Sequence, residues 1–204
     1  MLKLELSFYQ QGDAIALSRA LLGCVLMTRI SEQECGGFIC ETEAYSGLND
    51  RASHAYNGRF TKRTKIMYEP GGISYVYLCY GIHHLFNVVT GVSGTPDAVL
   101  IRAIVPVAGI SYMEKRLSGY VVSGRSIDGP GKLTKALGIN GIHNGISLVN
   151  DEIWIEEAKE VPLDNEILVT KRIGVGFAGD DAELPNRFLI NEQGRQRLFR
   201  HFQA

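Results

Sequence analysis

Polar and apolar positions follow two rhythms along this chain, and together they predict many short strands and a few helices. Asp13 precedes an Ala-Ile-Ala-Leu-Ser-Arg-Ala-Leu-Leu run closed by Gly23. A capping side chain, helical apolar spacing and a terminal glycine together predict a helix of about two and a half turns. Residues 24–30 read as a strand. Gly36 and Gly37 punctuate, and residues 38–45 then form an extended segment ended by the turn chemistry of Ser46-Gly47-Leu48-Asn49-Asp50. Residues 51–70 are polar, basic and without a period, which predicts a long ordered loop, and such loops often carry function.

Beyond Gly71-Gly72, the runs Tyr75-Val76-Tyr77-Leu78-Cys79-Tyr80 and Leu85-Phe86-Asn87-Val88-Val89 flank Gly81, a β-hairpin pattern with Tyr80 and Gly81 at its tip. Gly94-Thr95-Pro96-Asp97 turns the chain into a strand over 98–105. Helical spacing returns at 110–117 and 132–137, strands are predicted at 153–156, 166–170 and 187–190, and a polar helix at 191–202. No repeat or linker is visible, and strands dominate without the βαβ rhythm of a parallel sheet. An antiparallel α+β single domain spanning 1–204 is therefore expected.

Composition narrows the function classes. Cysteines 24, 35, 40 and 79 form no C-x-x-C pair and no dense even spacing, so they read as reduced thiols of a cytoplasmic protein. No export signal or membrane span is visible. The net charge is only −1, yet residues 51–135 hold eleven Lys and Arg against four acids, while the remainder holds ten against eighteen. A basic middle can offer a cationic face to phosphates, although a solvated charge pattern is the commoner outcome of such a split.

Chemistry-bearing residues concentrate in two places. Glu41, Glu43 and Tyr45 alternate with apolar or small neighbours, so a regular strand puts two carboxylates and a phenol on one face, about 7 Å between successive members. On pattern alone, solvated carboxylates are the commoner reading. Tyr80 at a hairpin tip is an exposed aromatic, a shape suited to wedging between base steps, against the simpler alternative of a tyrosine-rich core strand. The five histidines lack zinc-ligand spacing, and neither a G-x-S-x-G elbow nor a phosphate-binding P-loop occurs. The glycines at 174, 176 and 179 lack the strand, helix and acid of a dinucleotide fold. Neither a metal nor a cofactor is expected.

Taken jointly, Glu41-Thr42-Glu43-Ala44-Tyr45, His54, Tyr75-Val76-Tyr77-Leu78-Cys79-Tyr80-Gly81, Asn87, Val99-Leu100-Ile101-Arg102-Ala103, Gly129-Pro130-Gly131-Lys132-Leu133, Arg172-Ile173-Gly174-Val175-Gly176 and Arg187-Phe188 resemble the alkyladenine (3-methyladenine) DNA glycosylase family, in order and over nearly the whole chain. The chain departs from that pattern at Thr61-Lys62-Arg63-Thr64 and at Pro185-Asn186-Arg187-Phe188. The resemblance implies a curved antiparallel sheet with flanking helices and a protruding β-hairpin, similar to the C-terminal domain of formyltransferases. It further implies a monomer, located in the cytoplasm or at the nucleoid of a prokaryote, whose partner is double-stranded DNA containing damaged purines such as 3-methyladenine, 7-methylguanine, hypoxanthine and ethenoadenine.

The resemblance also implies roles. The everted base would stack between Tyr45 and the pair His54 and Tyr77. Glu43 would be the general base, and Arg102 would help it hold the attacking water. Asn87 would line the floor and exclude the 2-amino group of guanine, while Tyr80 would fill the gap in the duplex. Arg59, Lys62, Arg63 and Lys65 are expected at phosphates, with Lys132 a weaker candidate. No lysine matches a catalytic amine, so no strand-cutting step is expected. Two alternatives remain open at this point. A non-catalytic nucleic-acid-binding module would tolerate loss of Glu43, and a nucleoside hydrolase would not need Tyr80 or the basic loop.

Overall fold

The computed structural model describes residues 1–120 and 122–203. Two short helices, α1 (Leu6–Gln10) and α2 (Ala14–Ala20), lead into the hairpin β1 (Val25–Ile30) and β2 (Gln33–Tyr45). After residues 46–73 come β3 (Ser74–Cys79), β4 (His83–Thr90) and β5 (Asp97–Ala108), then α3 (Ile110–Arg116), β6 (Ile127–Asp128) and α4 (Pro130–Leu137). The chain closes with β7 (Ile153–Glu156), β8 (Ile167–Thr170), β9 (Arg187–Ile190) and α5 (Glu192–Gln203). Asp13 caps α2 by accepting from the Ala16 amide, and Gly138 ends α4 with φ of 80°.

Among the described residues, nine strands form one antiparallel sheet. Its main path runs β3-β4-β5-β2-β1-β7, with β6 on β5 and the β8–β9 pair joined through β9 to β2. The expected α+β architecture with a curved antiparallel sheet and flanking helices is what the chain adopts. Strand β2 is the spine. It pairs with β5 along one edge, and with β1 and then β9 along the other, so both edges are occupied and its residues from Cys35 to Ala44 are buried. Helices α2, α4 and α5 pack the core side chains Phe38, Ile101, Ile104, Leu133 and Leu198.

Three predicted features change. Gly36 and Gly37 do not break the chain but lie inside β2, because neighbours leave no room for a side chain. A Cβ at Gly36 would sit 2.0 Å from Met27 Sδ, and one at Gly37 would sit 2.7 Å from the Val105 carbonyl oxygen. The predicted loop over 51–70 contains two short 3-10 turns, Tyr56–Gly58 and Lys65–Tyr68. The carboxylate face of β2 is not wet: Glu41 and Glu43 are both buried, Glu41 against the arginines Arg102 of β5 and Arg187 of β9, and Glu43 against Tyr45, Arg102 and the Ile173 amide.

Irregularities in β2–β5 pairing prepare the site. The register shifts between Ile39 and Glu41 and again between Glu41 and Thr42, leaving Arg102 outside the pairing at the second shift. Bulges of this type re-aim side chains. Among the described residues, no helix is long and apolar enough to cross a membrane.

Candidate active site

The end of β2, the β3–β4 hairpin, the loop after Ser53 and residues 173–177 enclose a cavity of about 380 Å³. Glu43, with 0% exposure, lies at the bulged end of β2. Its Oε1 accepts from the Ile173 backbone N–H at 2.8 Å, and its Oε2 accepts from the Tyr45 hydroxyl at 2.8 Å. Arg102 Nη1 stands 3.4 Å from Oε1. A carboxylate has about four lone-pair sites, so these partners leave Glu43 capacity to accept one more proton donor.

Glu41 braces the same arginine. Its Oε1 accepts from Arg102 Nε at 2.7 Å and from Arg187 Nε at 2.7 Å. Two carboxylates and two guanidiniums balance, which lets four charges share a largely dry region. Burial works against the Arg102 charge, but Glu43 and Glu41 more than offset it and hold its pKa above the ordinary arginine value. Burial, reinforced by the adjacent Glu43 charge, pushes the Tyr45 phenol well up, so Tyr45 stays protonated and donates.

Tyr45 is held from behind. Arg172 stacks over its ring at 4.8 Å, donates to the Ala44 carbonyl at 2.9 Å and forms a buried ion pair with Asp50, whose Oδ1 accepts from Nη2 at 2.9 Å. A second aromatic wall is made of His54 and Tyr77, edge to face with centroids 4.8 Å apart. His54 Nδ1 lies 2.8 Å from the Tyr75 hydroxyl, and its Nε2 lies 3.1 Å from Arg63 Nη2. A guanidinium can only donate, so Nε2 is the acceptor and Nδ1 carries the proton. Burial, with Arg63 and Arg59 nearby, lowers the His54 pKa to about 4, so the ring is neutral near pH 7. Asn87 is buried in the lining, its Nδ2 donating to the Tyr75 carbonyl at 3.0 Å.

Tyr80 is 90% exposed at the hairpin tip and reaches the cavity rim. Its φ of 51° and that of Gly81, 71°, make the reversal, with the Ile82 N–H donating to the Cys79 carbonyl.

The family model described as "Methylpurine-DNA glycosylase (MPG)" matches residues 7–194. The chain belongs to the methylpurine-DNA glycosylase family. Membership makes it an enzyme of the DNA N-glycosylase class, a hydrolase acting on DNA. A protein of Chlamydia felis named "Putative 3-methyladenine DNA glycosylase" is 44% identical over 193 residues, 94% of this chain and 98% of that one. Proteins of the same name in Bacillus licheniformis and Alkaliphilus oremlandii are 44% identical over 187 residues and 40% over 198, each spanning at least 92% of both chains.

In this glycosylase, Tyr45, His54, Tyr77, Tyr80, Asn87 and Arg102, singled out in the sequence, line one cavity, and Glu43 lies buried behind its wall, bonded to the lining residues Tyr45, Arg102 and Ile173. The basic residues divide. Arg59, Lys62 and Lys65 are exposed on the loop beyond His54. Arg63 is exposed as well and also turns toward the cavity, its Nε donating to the Tyr75 hydroxyl at 3.2 Å and its guanidinium over the Tyr77 ring at 4.6 Å. Lys132 Nζ rests 3.4 Å from the centroid of the Tyr120 ring.

Sequence reasoning missed the Ile173 amide, the Glu41 bridge between Arg102 and Arg187, and the Arg172–Asp50 pair. The Arg172-Ile173-Gly174-Val175-Gly176 motif was the available signal for the first and last. Within it the Ile173 amide reaches β2, while Gly174 and Gly176 face open space. Among the described residues, no group of three His, Cys, Asp or Glu side chains is placed to hold a metal ion.

Proposed function

We propose that the glycosylase everts a damaged purine from duplex DNA into this cavity and hydrolyses its N-glycosidic bond with a water activated by Glu43. The observation that carries this reading is a fully buried carboxylate directly behind the cavity wall, held by an arginine, a backbone N–H and a phenol whose residues line the cavity. A carboxylate so placed both stabilises an oxocarbenium-like sugar and takes a proton from water. Arg102 holds Glu43 and shares the attacking water with it, while Glu41 fixes Arg102 from the other side.

The purine stacks between Tyr45 and the pair His54 and Tyr77. Stacking tolerates several ring substitutions and contributes about 1–3 kcal/mol per base. Asn87 sets the depth of the slot and excludes the 2-amino group of guanine. Tyr80 fills the gap in the duplex, offsetting part of the few kcal/mol that extrusion costs. Arg59, Lys62 and Lys65 contact phosphates, and Arg63 and Lys132 reach the backbone only by leaving their aromatic partners. The substrates are 3-methyladenine, 7-methylguanine, hypoxanthine and ethenoadenine in DNA, and the enzyme acts as a monomer.

A base-release panel tests the reading. Duplexes carrying each lesion should yield the free base and an uncut strand that breaks only on alkaline treatment. Release from none of them, or strand cleavage without alkali, contradicts it.

A further inference from the structure

The segment that donates to Glu43 also carries two apolar side chains to which the proposed reaction gives no task. Both of its ends are pinned. Arg172 Nη2 donates to the Asp181 carbonyl at 3.0 Å, and Asp181 Oδ2 accepts from the Arg51 amide at 2.8 Å. Ile173 is tied to Glu43, and Gly174 and Gly179 reverse the chain with φ of 77° and 60°. Yet Phe177 is 75% exposed and Ile173 50% exposed, and both border the cavity. A loosely held loop could fold such an aromatic away from water, whereas this one is fixed in the open.

Tyr80 and Phe177 are thus two exposed aromatics, on unrelated elements, at one opening. Everting a nucleotide bares the faces of the bases flanking the gap, and a single wedge cannot cover every one. Aromatic side chains bind such faces without sequence preference.

We propose that Phe177 is a second DNA contact, stacking on a base that flanks the everted nucleotide. The inference rests on the cavity being the receptor for an everted purine. Phe177 contacts DNA away from the reacting sugar and base, so it is a DNA-binding residue and not a catalytic one.

The test compares wild type with Phe177→Ala on a duplex containing a tetrahydrofuran abasic mimic, with 2-aminopurine, whose emission stacking quenches, placed on either side. The variant should melt like wild type, bind roughly tenfold more weakly and brighten the probe at one flanking position. Inhibition by free 3-methyladenine, which enters the cavity without a strand, should not change. Equal affinity and equal emission in the two proteins would overturn the proposal. So would a matching loss of free-base inhibition, which would assign Phe177 to the base slot. Failure of the cavity reading shows separately, in wild type, as free 3-methyladenine that does not inhibit base release from a duplex carrying a lesion.

Discussion

The backbone N–H of Ile173 donates to Glu43 Oε1 at 2.8 Å across 130 positions of the chain. The carboxylate assigned to catalysis is therefore fixed by three separate parts of the sequence: its own strand through Tyr45, β5 through Arg102, and a distant loop through a main-chain amide. Substitutions of Tyr45 or Arg102 leave that amide in place, so their contributions can be measured against a constant background.

Arg102 contacts both Glu43 and Glu41. Arg102→Gln should lower single-turnover base release by about 10²–10³-fold. Arg187→Gln, which bonds Glu41 and not Glu43, should lower it less. Unchanged release by Arg102→Gln would show that this cation takes no part in the reaction.

The Arg172–Asp50 pair is buried at both partners. Asp50→Ala leaves an uncompensated guanidinium behind Tyr45, and unfolding in denaturant should show a loss of about 3–5 kcal/mol. Lys171→Ala, which breaks an exposed pair with Glu183, should cost less than about 1 kcal/mol.

His54 should stay neutral through the physiological range. Its ring resonances are expected to titrate near pH 4, and Arg63→Gln should raise that midpoint. The folded value lies below the ordinary 6.5, so the unfolded chain binds more protons between the two. This group's share of stability is therefore whole above about pH 6.5 and is lost as pH falls toward 4, up to about 3 kcal/mol. NMR titration of the native protein, paired with unfolding curves at pH 7 and pH 5, checks both points.

The loop cations should separate by salt dependence. Arg59→Ala, Lys62→Ala and Lys65→Ala should each weaken duplex binding on all sequences and reduce the slope of log K against log salt by about one, without changing release from bound DNA. Arg63→Ala should also slow release, because its guanidinium touches His54, Tyr75 and Tyr77.

Local chemistry was legible in the sequence wherever it depended on neighbours in the chain. Tyr80-Gly81 between two alternating runs identified the hairpin, and Asp13 and Gly23 bracketed α2. The two-residue spacing of Glu43 and Tyr45 placed carboxylate and phenol together, and they are hydrogen-bonded. What escaped was decided by distant chain. Nothing near Glu41 announces that Arg102 and Arg187 close on it or that the Ile173 amide reaches Glu43, so this face read as wet. Gly36 and Gly37 read as a break because Met27 and Val105, which press on them, lie on other strands. The lean of Arg63 on Tyr77 was not legible either, since the aromatic wall is assembled from separate elements.

The most direct test of the central claim is single-turnover base release by Glu43→Gln on duplex DNA containing 3-methyladenine, with affinity for the same duplex measured in parallel. The substituted amide keeps the shape of the side chain and an acceptor for the Ile173 N–H, but it cannot take a proton from water. The account predicts that binding persists and release falls to the uncatalysed level. Release at the wild-type rate would contradict it.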